Sequence, residues 1–471
     1  CRWRSPSGND LLLVYQKDYG EDEVLPDGKT VVSINFTGDN HGPHSYERVK
    51  KIYADLRKRY PQAQLVGASF NDVARELLLI KKDLPVVTSE IGDTWIFGYG
   101  GAPIRMAKFR AVSRLYSQWL NEGKIKKDSD VALDFAAELG LIAEHTQGVD
   151  VKTHLRQWDK YDMDKFLKGR SEGVFSMAEA SWKEIDNYID SAIAFLPASL
   201  QKEAREVVAE VDKVKLEDNS KMKPMARKRW EQPIAGGMTL AGLSYQMFDG
   251  DDYDDFQNRY LRARYEWALD DLGKRGLKES HAVSVTLYAQ TMAQSVRKEK
   301  KGTRIITELR FPENEKVDKR VYPERIQVNC FTTKNGKRSE VALTVYGKPA
   351  VRLPESYWLS FTVPGIESVI AEKMGERVNL MDVVEKGNRQ MHGIDRYVDL
   401  ITSGETIRIS SKEAFLLNVG EAQGLNYSTN YPDKRKGVHF NLNNNLWGTN
   451  FSMWNEGSLT YHFVIETLSR K

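Results

Sequence analysis

The chain has 471 residues, 29% charged and 41% hydrophobic, with a formal net charge of +3 and a mean hydropathy of −0.54. That balance is ordinary for a globular protein in water and long enough for two or three domains. It argues against a nucleic-acid partner, because the basic stretches Lys221 to Arg229 and Arg297 to Lys301 are short and mixed, as in a solvated face or linker. No apolar run reaches the length of a membrane span. The two cysteines, Cys1 and Cys330, build neither a disulfide framework nor a thiolate metal site. The sequence starts at Cys1-Arg2-Trp3 with no Met and no visible targeting segment. The compartment, periplasmic, secreted or cytoplasmic, stays open, as does a homo-oligomeric state.

From Leu11 to about Tyr99, short apolar runs (Leu11–Val14, Val31–Phe36, Leu65–Ala68, Leu84–Val87) alternate with helical stretches at 46–59 and 71–80. Such alternation predicts parallel α/β structure. Four short strands cannot close a barrel, so barrel material here would lack its first strands.

Within this region Gly38-Asp39-Asn40-His41-Gly42-Pro43-His44-Ser45 follows the strand-like run ending at Phe36. Loops leaving the carboxyl ends of strands carry the chemistry in α/β folds. Gly38 permits a tight turn and Ser45 reads as a helix N-cap. The alternative is a plain turn in which Asp39 and His41 only cap and hydrogen-bond. Next, Ser89-Glu90-Ile91-Gly92-Asp93-Thr94-Trp95 puts two carboxylates and an indole directly after a strand, a combination suited to a sugar site. The lesser alternative is a buried Trp with acids capping the next element.

From Pro103 to about Val214 the pattern turns helical. Met106, Phe109, Val112, Leu115, Tyr116 and Trp119 share one helix face, Val131, Phe135, Leu139 and Ile142 the next, and Ala178, Trp182, Ile185, Ile189, Ala192 and Phe195 a later one. An antiparallel helical bundle is expected. Glu144-His145-Thr146-Gln147-Gly148 closes its second helix, where a His can simply answer the helix dipole.

Beyond Pro233 strands dominate, apart from an acidic, helical stretch near Asp249 to Leu272. Asn335-Gly336 between two alternating runs signals a hairpin. Lys386 to Gly393, containing His392, reads as a glycine-framed basic loop that reaches a ligand or turns on the surface. The aromatic, amide-rich segment His439 to Trp454 completes a region best read as a large β-sandwich.

In this order the motifs resemble the later portion of glycoside hydrolase family 38 α-mannosidases. They are more similar still to an uncharacterised group of relatives described only as a domain of unknown function. The most specific part is Leu84 to Arg110, where Pro85-Val86-Val87-Thr88-Ser89-Glu90 runs through Trp95 into Lys108-Phe109-Arg110. The resemblance implies the C-terminal part of a (β/α)7-type barrel over 1–102, a three-helix bundle over 103–225 and β-sandwich structure over 226–471. It implies a retaining exo-α-glycosidase that holds zinc through His and Asp side chains.

Carried onto this sequence, the resemblance makes Asp39 the acid/base, with an alternative alignment placing Asn40 at that position, where an amide cannot transfer a proton. His145 becomes a zinc ligand. Thr146-Gln147 stands where the mannosidases have His-Asp, and the remaining ligands and the nucleophile are expected upstream of Cys1. Asn40, His41, Glu90, Asp93, Trp95 and His392 are expected to contact a carbohydrate substrate. A non-catalytic carbohydrate-binding or structural protein, with Trp95, Trp447 and Trp454 as stacking platforms, is the alternative, and a metal-independent hydrolase a third.

Overall fold

The computed structural model describes residues 1–15, 20–38, 41–92, 94–262 and 264–468, with only the backbone of Thr94 and Asn219. Asp39, Asn40 and Asp93 therefore lie outside the described residues. The chain divides into two units, Cys1–Glu90 and Ile91–Lys471.

In the first unit the expected succession of parallel strands does not form. Arg2–Arg4 pairs antiparallel with Asp10–Leu12 and parallel with Val86–Val87, while Asp22–Val24 and Val31–Ser33 make a separate antiparallel pair. Leu65–Ala68 forms no strand. A run of apolar residues becomes a strand only where a neighbour accepts its backbone hydrogen bonds, and among the described residues no strand pairs with these. The helices Tyr46–Arg59 and Phe70–Leu79 form as expected, each with a serine N-cap. Ser69 and Asp72 complete a capping box. Burial here is sparse. Among the described residues only Leu25, Leu77 and Leu84 are buried, and the helix Tyr46–Arg59 buries none.

The second unit holds the main core. Its long helices are Pro103–Asn121, Asp130–Gly140, Ser176–Ala194 and Ala198–Asp212. The first packs against the last and the second against the third. The predicted stripes are the packed faces, except that Phe195, at the end of the third, is exposed; Met106, Val112, Trp119, Phe135, Leu139, Trp182, Ile185 and Ile189 are all buried. Each such side chain contributes about 1.5–3 kcal/mol relative to exposure. Trp119 also satisfies its indole N–H on Glu203 at 2.9 Å.

Two antiparallel sheets follow, one of ten strands between Lys223 and Leu468 and one of seven between Gln232 and Asn444. Asn335-Gly336 turns the hairpin Arg325–Thr333 / Arg338–Lys348, with Gly336 at φ +64°. The sheets face one another through their aromatic residues. Phe361 and Phe440 of the smaller sheet lie 5.4 and 5.0 Å from Phe463 of the larger, ring centre to ring centre. The acidic stretch is helical over Gly250–Tyr260 and Glu266–Asp271, the former capped by Asp249. Among the described residues no helix is long and apolar enough to cross a membrane.

Candidate functional site

The loop after Val31–Ser33 is built from its glycine outward. Gly38 has φ +121°, a backbone conformation that favours glycine, and a Cβ there would stand 3.1 Å from the ring of His41. His41 itself is exposed. His44 Nε2 lies 3.1 Å from the carbonyl of Asn35, bridging the two ends of the loop. Ser45 Oγ then accepts the Arg48 N–H at 3.2 Å and starts the helix. Glu90 closes the first unit half-buried, and the Trp3 indole donates to the carbonyl of Ser89 beside it at 3.0 Å.

In the second unit the loop carrying His145 is exposed at its tip and rigid beneath. His145 is 71% exposed, its Nδ1 against Glu144 Oε1. A carboxylate only accepts, so this pairing puts the hydrogen on Nδ1 and leaves Nε2 as the lone-pair nitrogen. Burial works to raise the Glu144 carboxyl, but the Thr146 N–H, 2.7 Å away, and the neighbouring His145 hold it below its ordinary value.

Beneath the tip, buried Gln147 donates to the carbonyls of Ile142 and Glu144 at 2.9 and 2.8 Å and accepts from Arg105 at 3.0 Å. Arg105 reaches on to the Trp182 carbonyl and to Asp186. The Tyr99 hydroxyl is shared between the carbonyls of Ala143 and Glu144 at 2.8 and 3.0 Å. Burial, then the Glu144 charge, push it up to about 12, so it stays a donor. Neither Arg105 nor Tyr99 is flagged by any local motif. Only Gln147, beside the His, carried a sequence signal.

Trp95 sits half-buried in the short helical segment Thr94–Gly101 with its ring 5.8 Å from Phe451. The terminal amides turn inward. Asn444 Nδ2 donates to Phe97 O and Asn441 Oδ1, and Asn445 bonds the backbone of Val351, Leu353, Glu355 and Met453. Trp447 and Trp454, expected as stacking platforms, are buried at 3% and 4% exposure. Trp454 fills an edge-to-face cluster with Phe166, Phe175 and Trp182, a packing role that removes it from any surface ligand.

The basic loop at Lys386–Gly393 is likewise folded inward. Arg389 is buried and donates to the carbonyls of Val383 and Thr429 at 2.8 and 3.0 Å. His392 lies buried in the strand Met391–Gly393, its Nε2 2.9 Å from Arg389 O, and burial, aided by Lys373, pushes it down to about 3. A neutral, enclosed imidazole of this kind does not reach a surface ligand.

For zinc, the residue the resemblance points to, His145, carries a carboxylate on its other nitrogen, an arrangement that His462 with Glu413 shares. Such pairs do not by themselves make the site, since no group of three or more His, Cys, Asp or Glu is placed to hold a metal among the described residues.

Residues 100–234, the helical segment and its exit, match a family described as a domain of unknown function, DUF5054. No curated protein matches. Among solved structures the chain is similar to an α-mannosidase from Enterococcus faecalis V583, at 9% identity and TM-score 0.30, covering 50% of this chain and 26% of that one. It is also similar to a protein in glycosyl hydrolase family 38 from Enterococcus faecalis, at 10% identity and TM-score 0.40, covering 91% of this chain and 63% of that one. The chain thus spans about a quarter of the first and under two thirds of the second.

Proposed function

We propose that this chain is part of a glycosidase of the α-mannosidase kind, a retaining exo-acting enzyme that hydrolyses a carbohydrate. The motif order from Phe36 to Gly148 supports the reading, and one geometric observation carries it. An exposed imidazole, its tautomer set by Glu144, stands on a loop that Gln147, Arg105 and Tyr99 hold rigid. Pre-organisation of that kind is what a ligand-holding side chain needs and a solvated surface His does not.

In this reading His145 is one ligand of a zinc ion whose other ligands lie outside the described residues. Zinc supplies polarisation of the sugar hydroxyls and charge stabilisation. Asp39 would act as acid, giving its proton to the glycosidic oxygen as a carboxylate nucleophile, expected upstream of Cys1, bonds to the anomeric carbon and that oxygen leaves. It would then act as base, taking a proton from the water that displaces the carboxylate. The resemblance makes Asn40, His41, Glu90, Asp93 and Trp95 each a candidate sugar contact. Burial of Trp447 and Trp454 leaves the purely binding alternative with Trp95 alone of its three platforms.

The test is hydrolysis of an unactivated α-mannoside by the full-length protein, with its zinc content measured alongside. Asp39→Asn is expected to abolish turnover with the melting temperature and zinc content unchanged, and His145→Ala to lower zinc content. Full turnover in Asp39→Asn, or undiminished zinc in His145→Ala, defeats the respective assignment.

A further inference from the structure

The outer face of the ten-stranded sheet carries a cleft of about 1000 Å³, walled by the helices Pro103–Asn121 and Ala198–Asp212 and the segment that follows the latter. Its floor follows from strand register. Gln327, Thr344 and Thr460 are cross-strand partners in one row, and Asn329, Ala342 and His462 in another. The rows are two residues apart on every strand, so they share one face of the sheet. The residues between them, Val328, Leu343 and Tyr461, point the other way into the core and are buried. Ala342, the smallest side chain of the floor, leaves a depression between Asn329 and His462.

The polar groups of this floor are oriented. Glu413, from the turn before Leu416–Val419, is 10% exposed and accepts the His462 backbone N–H at 2.7 Å through one oxygen. Its other oxygen lies 3.0 Å from His462 Nδ1. Since a carboxylate only accepts, Nδ1 carries the hydrogen and Nε2 of the neutral ring is an acceptor. Asn329 Oδ1 is taken by Arg304 at 2.9 Å, leaving its NH₂ as the donor end. The hydroxyls of Thr344 and Thr460 lie 2.9 Å apart, so one donates to the other and a second hydroxyl hydrogen remains.

The walls are electrically balanced. Arg114, Lys213, Lys215 and Lys412 stand against Glu210, Glu217, Asp218 and Glu413. Four carboxylates disfavour a polyanion, four cations a polycation, and the polar floor an apolar ligand. Leu115, Val207 and Val211 add apolar contact from the helices. Mixed donors and acceptors under an apolar wall with no net charge suit a ligand with hydroxyls on its edges and C–H groups on its faces.

We infer that this cleft binds a neutral oligosaccharide, with His462 Nε2 accepting from a sugar hydroxyl and Asn329 donating to one. Its volume stands at the upper end of the roughly 300–1000 Å³ usual for ligand pockets, so a short chain of sugars fits it better than a single ring.

The test is calorimetric titration and saturation-transfer NMR on the full chain, with α-linked mannotriose and maltotriose as neutral probes and hexametaphosphate as a polyanion. Saturable binding of at least one trisaccharide is expected, weakened at least about tenfold by His462→Ala and by Asn329→Ala. Melting temperatures are expected to be unchanged, and His462→Gln, which keeps a polar side chain on the sheet, serves if the alanine variant is destabilised. The proposal is overturned if neither trisaccharide binds at millimolar concentration, if folded variants bind as the parent does, or if hexametaphosphate is preferred. Binding is read without turnover, so its outcome is independent of any result at Asp39.

Discussion

Arg105 and Gln147 meet inside the second unit, guanidinium Nη1 to amide Oε1 at 3.0 Å, and through this contact the helix Pro103–Asn121 fixes the loop that presents His145. Removing the amide takes the acceptor from a buried guanidinium N–H and the Gln147 donor from the carbonyls of Ile142 and Glu144, the latter keeping the Tyr99 hydroxyl. Gln147→Leu is therefore expected to lower stability by about 2–3 kcal/mol and to speed hydrogen exchange over residues 143–148. Tyr99→Phe removes one shared hydroxyl and should cost about 1 kcal/mol with a smaller rise in exchange. Denaturant midpoints and exchange mass spectrometry read both effects. Unaltered exchange in Gln147→Leu would show that the loop is held by something else.

Gly148 tests the same loop from its backbone. It has φ +142°, and a Cβ there would lie 2.5 Å from the Trp182 ring. Gly148→Ala combines an unfavourable backbone angle with overpacking against a buried indole, an expected loss of at least about 2 kcal/mol. Gly123→Ala is the control, at φ +69° with nothing within 4 Å of the added Cβ. It carries only the backbone penalty, so its midpoint should move less than that of Gly148→Ala.

A buried ion cluster in the larger sheet makes a separate prediction. Asp399 is fully buried and accepts two bonds from Arg408, at 2.7 and 2.9 Å, with Arg377 3.1 Å away. Arg408 also lies over the Tyr397 ring at 3.5 Å, so the guanidinium has little freedom to leave. Asp399→Asn keeps the shape and removes the charge, leaving Arg408 partly desolvated and uncompensated. A loss of about 3–5 kcal/mol is expected. Thermal melts of Asp399→Asn against Arg377→Ala should separate the buried partner from the half-exposed one, with the first much the larger.

These contacts also show where the sequence stops being readable. Helix faces such as Met106, Val112 and Trp119 were legible because their spacing is local, and so were the Ser45 cap and the Asn335-Gly336 turn. Arg105 with Gln147, and Glu413 with His462, are 42 and 49 residues apart, and no periodicity links them. The start of the run at 439–454 was read correctly as sheet, but the expectation of Trp447 and Trp454 as stacking platforms was not met, for a physical reason. Asn, Trp and Phe that pair with buried backbone and rings have the same composition as those that bind sugars, and only burial tells them apart. In the first unit, apolar runs alone did not specify which strands would find neighbours.

The two buried histidines of the smaller sheet set a pH dependence. Burial pushes His439 down to about 4, against smaller upward influences from the Gly420 backbone and Glu421, and pushes His392 down to about 3. His439 lies on the strand Val438–Asn444 with Nδ1 2.8 Å from Ser360 Oγ, and His392 faces the Arg389 carbonyl. In the unfolded chain both take the ordinary value near 6.5. Above that value both states are neutral and the histidines contribute no slope. As pH falls below about 6.5 the unfolded chain binds protons that the folded chain refuses, and stability declines toward the folded values near 3 and 4. For His439 this loss is on the order of 3 kcal/mol by about pH 4. Urea midpoints between about pH 7.5 and 4.5 should therefore fall with acid. The fall should be shallower in His439→Gln and His392→Gln, whatever constant cost each substitution carries. Parallel slopes in parent and variants would mean that the acid sensitivity resides in other groups.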